Sequence, residues 1–424
     1  MHVAHELSTL PSGVTVVTET VPSVRSVALG LWLQVGARDE PAGHAGCSHF
    51  LEHLLFKGSS RRSAREVAEE LDAVGGELNA FTTKELTCFH ARVLDRDLPV
   101  AFDVLADLVV DARNDATDVE AERQVIRSEL DFLHDTPDEL IHADLAEVVL
   151  GDHPLAAEPL GTAASIAELQ RETIQGFYRE HYRPQRLTVA AAGNLDHARV
   201  VALADQLLGD LGRPDGCAPA RRGPDGYQTG QVRLRSRPGE QVHLAVGVGG
   251  LAQDDDDRFA LRVLDAVLGG GMSSRLFQEI RERRGLAYTT FSYASSWSDA
   301  GLFAVYAATA PDDTDETLSV MREQLASIAD DVTVDELQRA QGALAGALVL
   351  ALEDTGSRMS RIGRQVATGS TMVTVDEALE RVAAVDVDDV RRVARRLLGG
   401  PLDLAAVGPV DEAERERLRT AVAS

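Results

Sequence analysis

Hydrophobic and polar positions along this chain trace short strands, long helices and then the same order again. Ser26-Val27-Ala28-Leu29-Gly30-Leu31-Trp32-Leu33 reads as a strand, and so does Gln241-Val242-His243-Leu244-Ala245-Val246-Gly247-Val248. The segment from Asp118 to Leu130 reads as a helix that Thr117 or Asp118 can cap, with acids in its first turn. Val125, Ile126 and Glu129 share one broad face of it, and Glu122 lies two turns before Glu129 on that face. Leu187-Thr188-Val189-Ala190-Ala191-Ala192-Gly193-Asn194-Leu195-Asp196 is echoed by Leu402-Asp403-Leu404-Ala405-Ala406-Val407-Gly408-Pro409-Val410-Asp411, with the glycines 215 residues apart. Thr117-Asp118-Val119-Glu120 matches Thr333-Val334-Asp335-Glu336 at a spacing of 216, and Gly76 before Glu77-Leu78-Asn79 matches Gly285 before Leu286-Ala287-Tyr288 at 209. A period this long is a duplicated domain, not a solenoid repeat.

Each half runs strands, helices, strands, a long helical stretch and a closing strand. That order predicts an α+β fold of two homologous domains, each a mostly antiparallel sheet packed with helices. Residues 209–230 are dense in glycine and proline and read as a linker between a domain at 1–208 and a second at 231–424. A chain of 424 residues suits two cores better than one.

Composition narrows the function classes. A formal net charge of −26 leaves nothing to offset phosphate repulsion, so nucleic-acid binding is not expected. The acidic balance reads first as a solvated surface; the functional alternative is attraction of basic peptides. Cys47, Cys88 and Cys217 are few and widely spaced, which argues against a disulfide framework and for a reducing compartment. No secretory pattern and no bilayer-length apolar run is seen, so a cytoplasmic location without a membrane span is expected.

The chemistry concentrates in His49-Phe50-Leu51-Glu52-His53. Two histidines four apart lie one above the other on a helix face. Neutral imidazoles so placed can hold one zinc ion at about 2.0–2.1 Å each. Glu52 is three residues after His49, on the same face, giving H-x-x-E-H, the inverzincin signature. Metal-assisted hydrolysis follows, with the glutamate taking a proton from water. The ordinary reading of the same five residues is an amphipathic helix with partly buried histidines. A third ligand downstream separates the two, and Glu129 is the candidate, because a carboxylate among apolar neighbours is costly unless paired or metal-bound. Cys47, two residues before His49, reads as a buried structural cysteine.

On these residues the chain resembles the pitrilysin, insulinase and mitochondrial processing peptidase family of zinc peptidases, in a short bacterial two-domain form. In that family the third ligand is a glutamate about 76 residues beyond the second histidine, and Glu129 is 76 beyond His53. A second glutamate stands seven residues earlier, where this chain has Glu122. The resemblance implies His49, His53 and Glu129 as ligands of one zinc ion per chain, Glu52 as general base and Glu122 as an auxiliary carboxylate. It also implies an arginine and tyrosine seven apart that bind substrate and stabilise the reacting carbonyl, which Arg281 and Tyr288 match. Asn79, Ala80, Phe81 and Thr82 resemble its substrate-binding edge strand; an ordinary sheet strand explains them as well. The second half carries Gln338 and Ala345 in place of the two glutamates and no H-x-x-E-H, so only the first domain is expected to bind metal. Gly269-Gly270-Gly271 lacks the Lys-Ser/Thr pair of a phosphate loop and reads as a flexible turn. Cys88-Phe89-His90 and the stretch from His153 to Gly161 depart from the family wording and leave substrate preference open. The implied activity is a zinc metalloendopeptidase cutting unfolded peptides as a homodimer, or as a heterodimer with a related subunit. The alternative is a non-catalytic or partner-dependent scaffold subunit, since the family includes such members.

Overall fold

The two alternating segments pair into two sheets whose strand orders repeat. The computed structural model describes residues 5–209, 211 and 221–423; Cys217 and most of the glycine-rich stretch before Arg221 lie outside them. The first sheet is built from β1 (His5–Thr9), β2 (Thr15–Thr20), β3 (Ser26–Leu33), β4 (Glu77–Thr82), β5 (Thr87–Leu94) and β6 (Leu187–Gly193), in the order β1-β2-β6-β3-β5-β4. The second comprises β7 (Val232–Ser236), β8 (Val242–Gly249), β9 (Ala287–Ser296), β10 (Gly301–Thr309) and β11 (Asp403–Gly408), in the order β7-β11-β8-β10-β9. Without β1 the two orders superpose strand for strand. The β2–β6 and β7–β11 pairs are parallel and every other pair is antiparallel. The expected α+β duplication is therefore present, as two mixed sheets that are mainly antiparallel.

The repeated glycines have a physical reason. Gly193 and Gly408 end β6 and β11 with φ of 139° and 148°. A Cβ at Gly193 would stand 2.2 Å from the Ser26 carbonyl oxygen, and one at Gly408 2.5 Å from that of Gln241. Ser26 opens β3 and Gln241 precedes β8, so the same crowded corner recurs and only glycine fits it.

The chain folds into two compact units, and each includes a segment from the other half of the sequence. One is Met1–Asp131, Ala157–Ala220 and Leu350–Thr374; the other is Phe132–Ala156, Arg221–Val349 and Val375–Ser424. In the first unit, helix Thr355–Ala367 lies on β2, β3 and β6. Its Met359 and Ile362 are buried with Val17, Ala28, Trp32 and Ala190, and Trp32 Nε1 donates to Met359 Sδ at 3.3 Å. In the second unit, helix Pro137–Leu150 lies on β8 and β11, burying Ile141, Leu145 and Val149 against Ala245, Ala405 and Val407.

Each exchanged helix carries an ionic cluster, and the two clusters have opposite polarity. Glu19 on β2 is fully buried and paired with Arg358 and Arg361 of the helix, the latter at 3.1 Å. In the second unit the acid is on the helix: Asp144, 2% exposed, lies 3.0 Å from Arg233 and 2.6 Å from Arg235 of β7. β2 and β7 are equivalent strands, so one presents an acid where the other presents arginines.

Helix Ala116–Asp135 begins before the expected Thr117 or Asp118 cap, because the N–H groups of Asp118 and Val119 both reach the Asp115 carbonyl oxygen, at 3.1 and 3.0 Å. Its buried stripe is Val119, Glu122, Arg123, Ile126 and Leu130. Val125, expected on that face, is 44% exposed, since it falls one residue off the i, i+3, i+4 rhythm. The segment after the glycine run forms a π-helix, Phe277–Arg283.

Candidate metal centre

The H-x-x-E-H residues lie on helix Cys47–Leu55, which buries Cys47, Ser48, Phe50, Leu51, Leu54 and Leu55. At roughly 1.5–3 kcal/mol for each large apolar side chain, that face anchors the helix to the core of the first unit. His49, Glu52 and His53 occupy the remaining half-buried stripe at i, i+3 and i+4. The residue before the helix, Gly46, has φ 90° and no side chain to cap the first turn. Glu40 does so instead, accepting from the N–H of Gly46 at 2.8 Å and of Ser48 at 2.6 Å. Burial pushes its carboxyl up to about 7, against those two backbone donors.

Helix Ala116–Asp135 packs beside this one and brings the carboxylates. Arg123 ties the two together: its guanidinium lies over the Phe50 ring, 5.6 Å from the centroid, and donates to the Ile166 and Leu169 carbonyl oxygens, the second at 2.8 Å. Glu129 Oε2 stands 3.7 Å from His49 Nε2 and 3.5 Å from His53 Nε2. Among the described residues these are the one group of three or more metal-ligating side chains whose donor atoms all lie within 4.8 Å of one another. Tetrahedral zinc with bonds near 2.0–2.1 Å separates its ligand atoms by about 3.3 Å, so the observed separations suit such an ion. Glu129 Oε2 is buried with no hydrogen-bond partner, a costly arrangement for a carboxylate unless a cation takes it up.

The His49 imidazole is in the form a metal needs. Burial, then the neighbouring His53, push His49 down to about 4, leaving its ring neutral near pH 7. His53 Nδ1 is 2.9 Å from Glu122 Oε2, which fixes the proton on Nδ1 and turns the Nε2 lone pair toward Glu129. The other Glu122 oxygen is 2.5 Å from Lys57 Nζ, and the carboxylate is 94% removed from solvent. Lys57–Glu122–His53 is thus a continuous chain. Glu52 faces the same space. Its Oε2 accepts from the Thr82 hydroxyl. Burial raises its pKa above the ordinary carboxylate value, with Thr82 and His53 opposing and Glu129 adding to the rise.

The remaining predicted residues fall in two places. Asn79, Ala80, Phe81 and Thr82 lie on β4, the free edge of the first sheet. Leu78 and Ala80 pack toward the core beneath the motif helix, whereas Phe81 points to the opposite face, edge-on to Trp32 at 5.5 Å. Arg281 and Tyr288 belong to the second unit. They stack, the guanidinium 4.2 Å from the Tyr288 ring centroid, and Tyr288 is 74% exposed. Gln338 and Ala345 lie on helix Val334–Ala351, and among the described residues the second repeat gathers no ligand set. Sequence reasoning did not single out Lys57, Glu40 or the bond from Thr82 to Glu52. Lys57 had a signal, since it is four residues beyond His53.

Residues 15–163, which contain all five motif and carboxylate residues, match the family model described as insulinase (peptidase family M16). Residues 168–344 match the one described as the M16 inactive domain. A Streptomyces coelicolor protein named an uncharacterized zinc protease is 46% identical over 98% of this chain and 92% of its own length. The chain belongs to peptidase family M16. Another such relative, the uncharacterized zinc protease YmxG of Bacillus subtilis, is 36% identical over 95% of the M16 chain and 97% of its own. The fold matches a crystal structure of a Helicobacter pylori protease with a TM-score of 0.89, at 22% identity over 96% of this chain and all of that one. A Pseudomonas fluorescens structure described as a peptidase M16 inactive domain gives 0.89 at 19% identity, over 96% and 98%. No described helix is long and apolar enough to cross a membrane.

Proposed function

We propose that this chain is an active zinc-dependent endopeptidase that hydrolyses extended peptides. The observation that carries the reading is the convergence of His49 Nε2, His53 Nε2 and Glu129 Oε2 with the Glu52 carboxylate on the same helix face. Zinc held by those three atoms would polarise the scissile carbonyl and lower the pKa of a water. Glu52 takes the proton from that water and returns it to the leaving amine. Glu122 and Lys57 hold His53 in the required tautomer. The outer edge of β4, unpaired with another strand among the described residues, offers backbone groups to an extended substrate, the Ala80 N–H on giving up its 2.8 Å bond to Asn79 Oδ1. Arg281 and Tyr288 act on the substrate and the developing oxyanion, a role that rests on the family resemblance. The same resemblance supports pairing of two chains, as a homodimer or with a related subunit, and the few, widely spaced cysteines support a reducing, cytoplasmic setting. The acidic balance supports a preference for peptides bearing Lys or Arg. The M16 model described as inactive covers residues 168–344 and includes none of His49, Glu52, His53, Glu122 and Glu129, which all fall in the stretch matched by the insulinase model; this supports catalysis over a scaffold role.

The test is Glu52→Gln. It keeps the side-chain shape and cannot take a proton. Cleavage of a quenched peptide should fall to background while zinc content by elemental analysis stays at one per chain. Parental turnover in the variant removes Glu52 from the mechanism; a parent that holds zinc and cleaves nothing removes the peptidase reading.

A further inference from the structure

Thr82 lies where the edge strand and the base meet. Among the described residues β4 pairs with β5 alone, Thr82 opposite Thr87, so its other edge carries no strand. Side chains alternate along it: Leu78 and Ala80 join the core on the side of the motif helix, whereas Phe81 packs on the opposite face with Trp32. Thr82 continues the first series and donates its hydroxyl proton to Glu52 Oε2. Among the described residues no other hydrogen bond holds that carboxylate, so this contact fixes where its oxygens stand.

We propose that Thr82 is a positioning residue for the base, holding Glu52 through its hydroxyl and coupling it to the strand on which a peptide would add. The inference rests on the peptidase reading and changes one assignment drawn from the resemblance: Thr82 serves Glu52 rather than the substrate side chain. Threonine suits the task because branching at Cβ restricts χ1 and keeps the hydroxyl aimed. A carboxylate free to turn at the end of three rotatable bonds would spend much of its time away from the water it must deprotonate, and a displacement of about 1 Å can cost on the order of a hundredfold in rate. A peptide bonded to β4 pairs with the backbone that carries Thr82, so strand addition and base placement share one element.

The test uses full-length, zinc-loaded protein with Thr82→Val, which keeps the shape and loses the donor, and Thr82→Ser, which keeps the donor. Val should lower kcat about 10–100-fold with KM within about threefold and zinc content unchanged, and Ser should restore kcat to within about fivefold of the parent. A readout independent of activity is the thermal midpoint of Thr82→Val, Glu52→Ala and the double variant. If the two side chains are coupled, the double variant loses less than the sum of the singles. Three results overturn the proposal: parental kcat in Val, a raised KM at parental kcat (which makes Thr82 a substrate contact), or additive shifts in midpoint. Should the parent bind zinc and cleave nothing, the peptidase reading fails on its own evidence, and the coupling alone decides whether Thr82 holds Glu52.

Discussion

Glu122 is the clearest place to test whether the group behind the ligands matters to metal binding. Its carboxylate is 6% exposed and shared between His53 Nδ1 at 2.9 Å and Lys57 Nζ at 2.5 Å. Both partners are donors, so a group with two acceptor oxygens is required. Glu122→Gln keeps the volume and leaves a single acceptor. If its oxygen turns to His53, the amide N–H groups face the Lys57 ammonium; if it turns to Lys57, they face the His53 Nδ1–H. Either way one donor loses its partner, and His53 is freer to flip or to change tautomer. Loss of such a partner costs about 10–100-fold in metal affinity, or roughly 1.4–2.7 kcal/mol. Lys57→Met is the companion: it removes the cation but keeps the bond from Glu122 to His53, and its loss should stay below about tenfold. Lys57 is 35% exposed, so part of its charge is already solvated in the parent. Zinc dissociation constants by competition against a chromophoric chelator at fixed pH decide the matter, with circular dichroism to verify folding. Affinities within twofold of the parent for Glu122→Gln would refute the reasoning and reduce Glu122 to a surface partner of Lys57.

The remaining predictions concern the ligand set, a buried acid and the exchanged helices. Glu129→Gln should lose stoichiometric zinc by elemental analysis; retention of one ion per chain would strike Glu129 from the ligands. Asp403 is fully buried, its carboxyl pushed up to about 7 by burial, and its Oδ2 has no partner. A raised acid contributes stability below its ordinary value near 4 that is lost as pH rises through about 7. Asp403→Asn should therefore exceed the parent in thermal midpoint at pH 8, by roughly 2–4 °C for each kcal/mol recovered, and lose that advantage below pH 4; an advantage independent of pH would refute the assignment. Glu19→Gln leaves Arg358 and Arg361 without their buried acid and should cost about 3–5 kcal/mol, recovered in part by adding Arg358→Met. An unchanged midpoint for Glu19→Gln would show that the cluster contributes nothing.

Much of the fold was legible because duplication is written in residues that cannot vary freely. Gly193 and Gly408 repeat because a Cβ at either would strike a carbonyl oxygen on the neighbouring strand. The convergence of His49, His53 and Glu129 was legible because helical spacing puts the two histidines on one face, and family spacing points to Glu129. The boundaries of the long helix were less so, since Asp115 supplies its first acceptor through the backbone, which leaves no side-chain signature. Val125 illustrates a neighbouring difficulty: an apolar residue beside a buried stripe is not in it. Glu40 escaped notice because it caps from six residues before Gly46, across a loop. The bond from Thr82 to Glu52 escaped because the two residues are on different elements, and a threonine in a strand reads as ordinary β structure.

The helix exchange shows why pairwise chemistry can be invisible in a repeat comparison. Alignment of the halves matches β2 with β7 and says nothing about which helix covers each. The charges do. Glu19 on β2 requires a cationic helix, and Arg233 and Arg235 on β7 require an anionic one. Helix Pro137–Leu150 carries Asp144, and helix Thr355–Ala367 carries Arg358 and Arg361. If each helix stayed with the sheet of its own half, Asp144 would be buried against Glu19, and two arginines against two arginines. Uncompensated buried charge costs several kcal/mol per ion, whereas the exchanged arrangement pairs every one of them. The apolar faces add to this: Gly363 of one helix makes room for Trp32, where a Cβ would stand 2.3 Å from the indole nitrogen, whereas Leu145 of the other packs on Gly247. Packing and the inverted ion clusters together account for which helix covers which sheet.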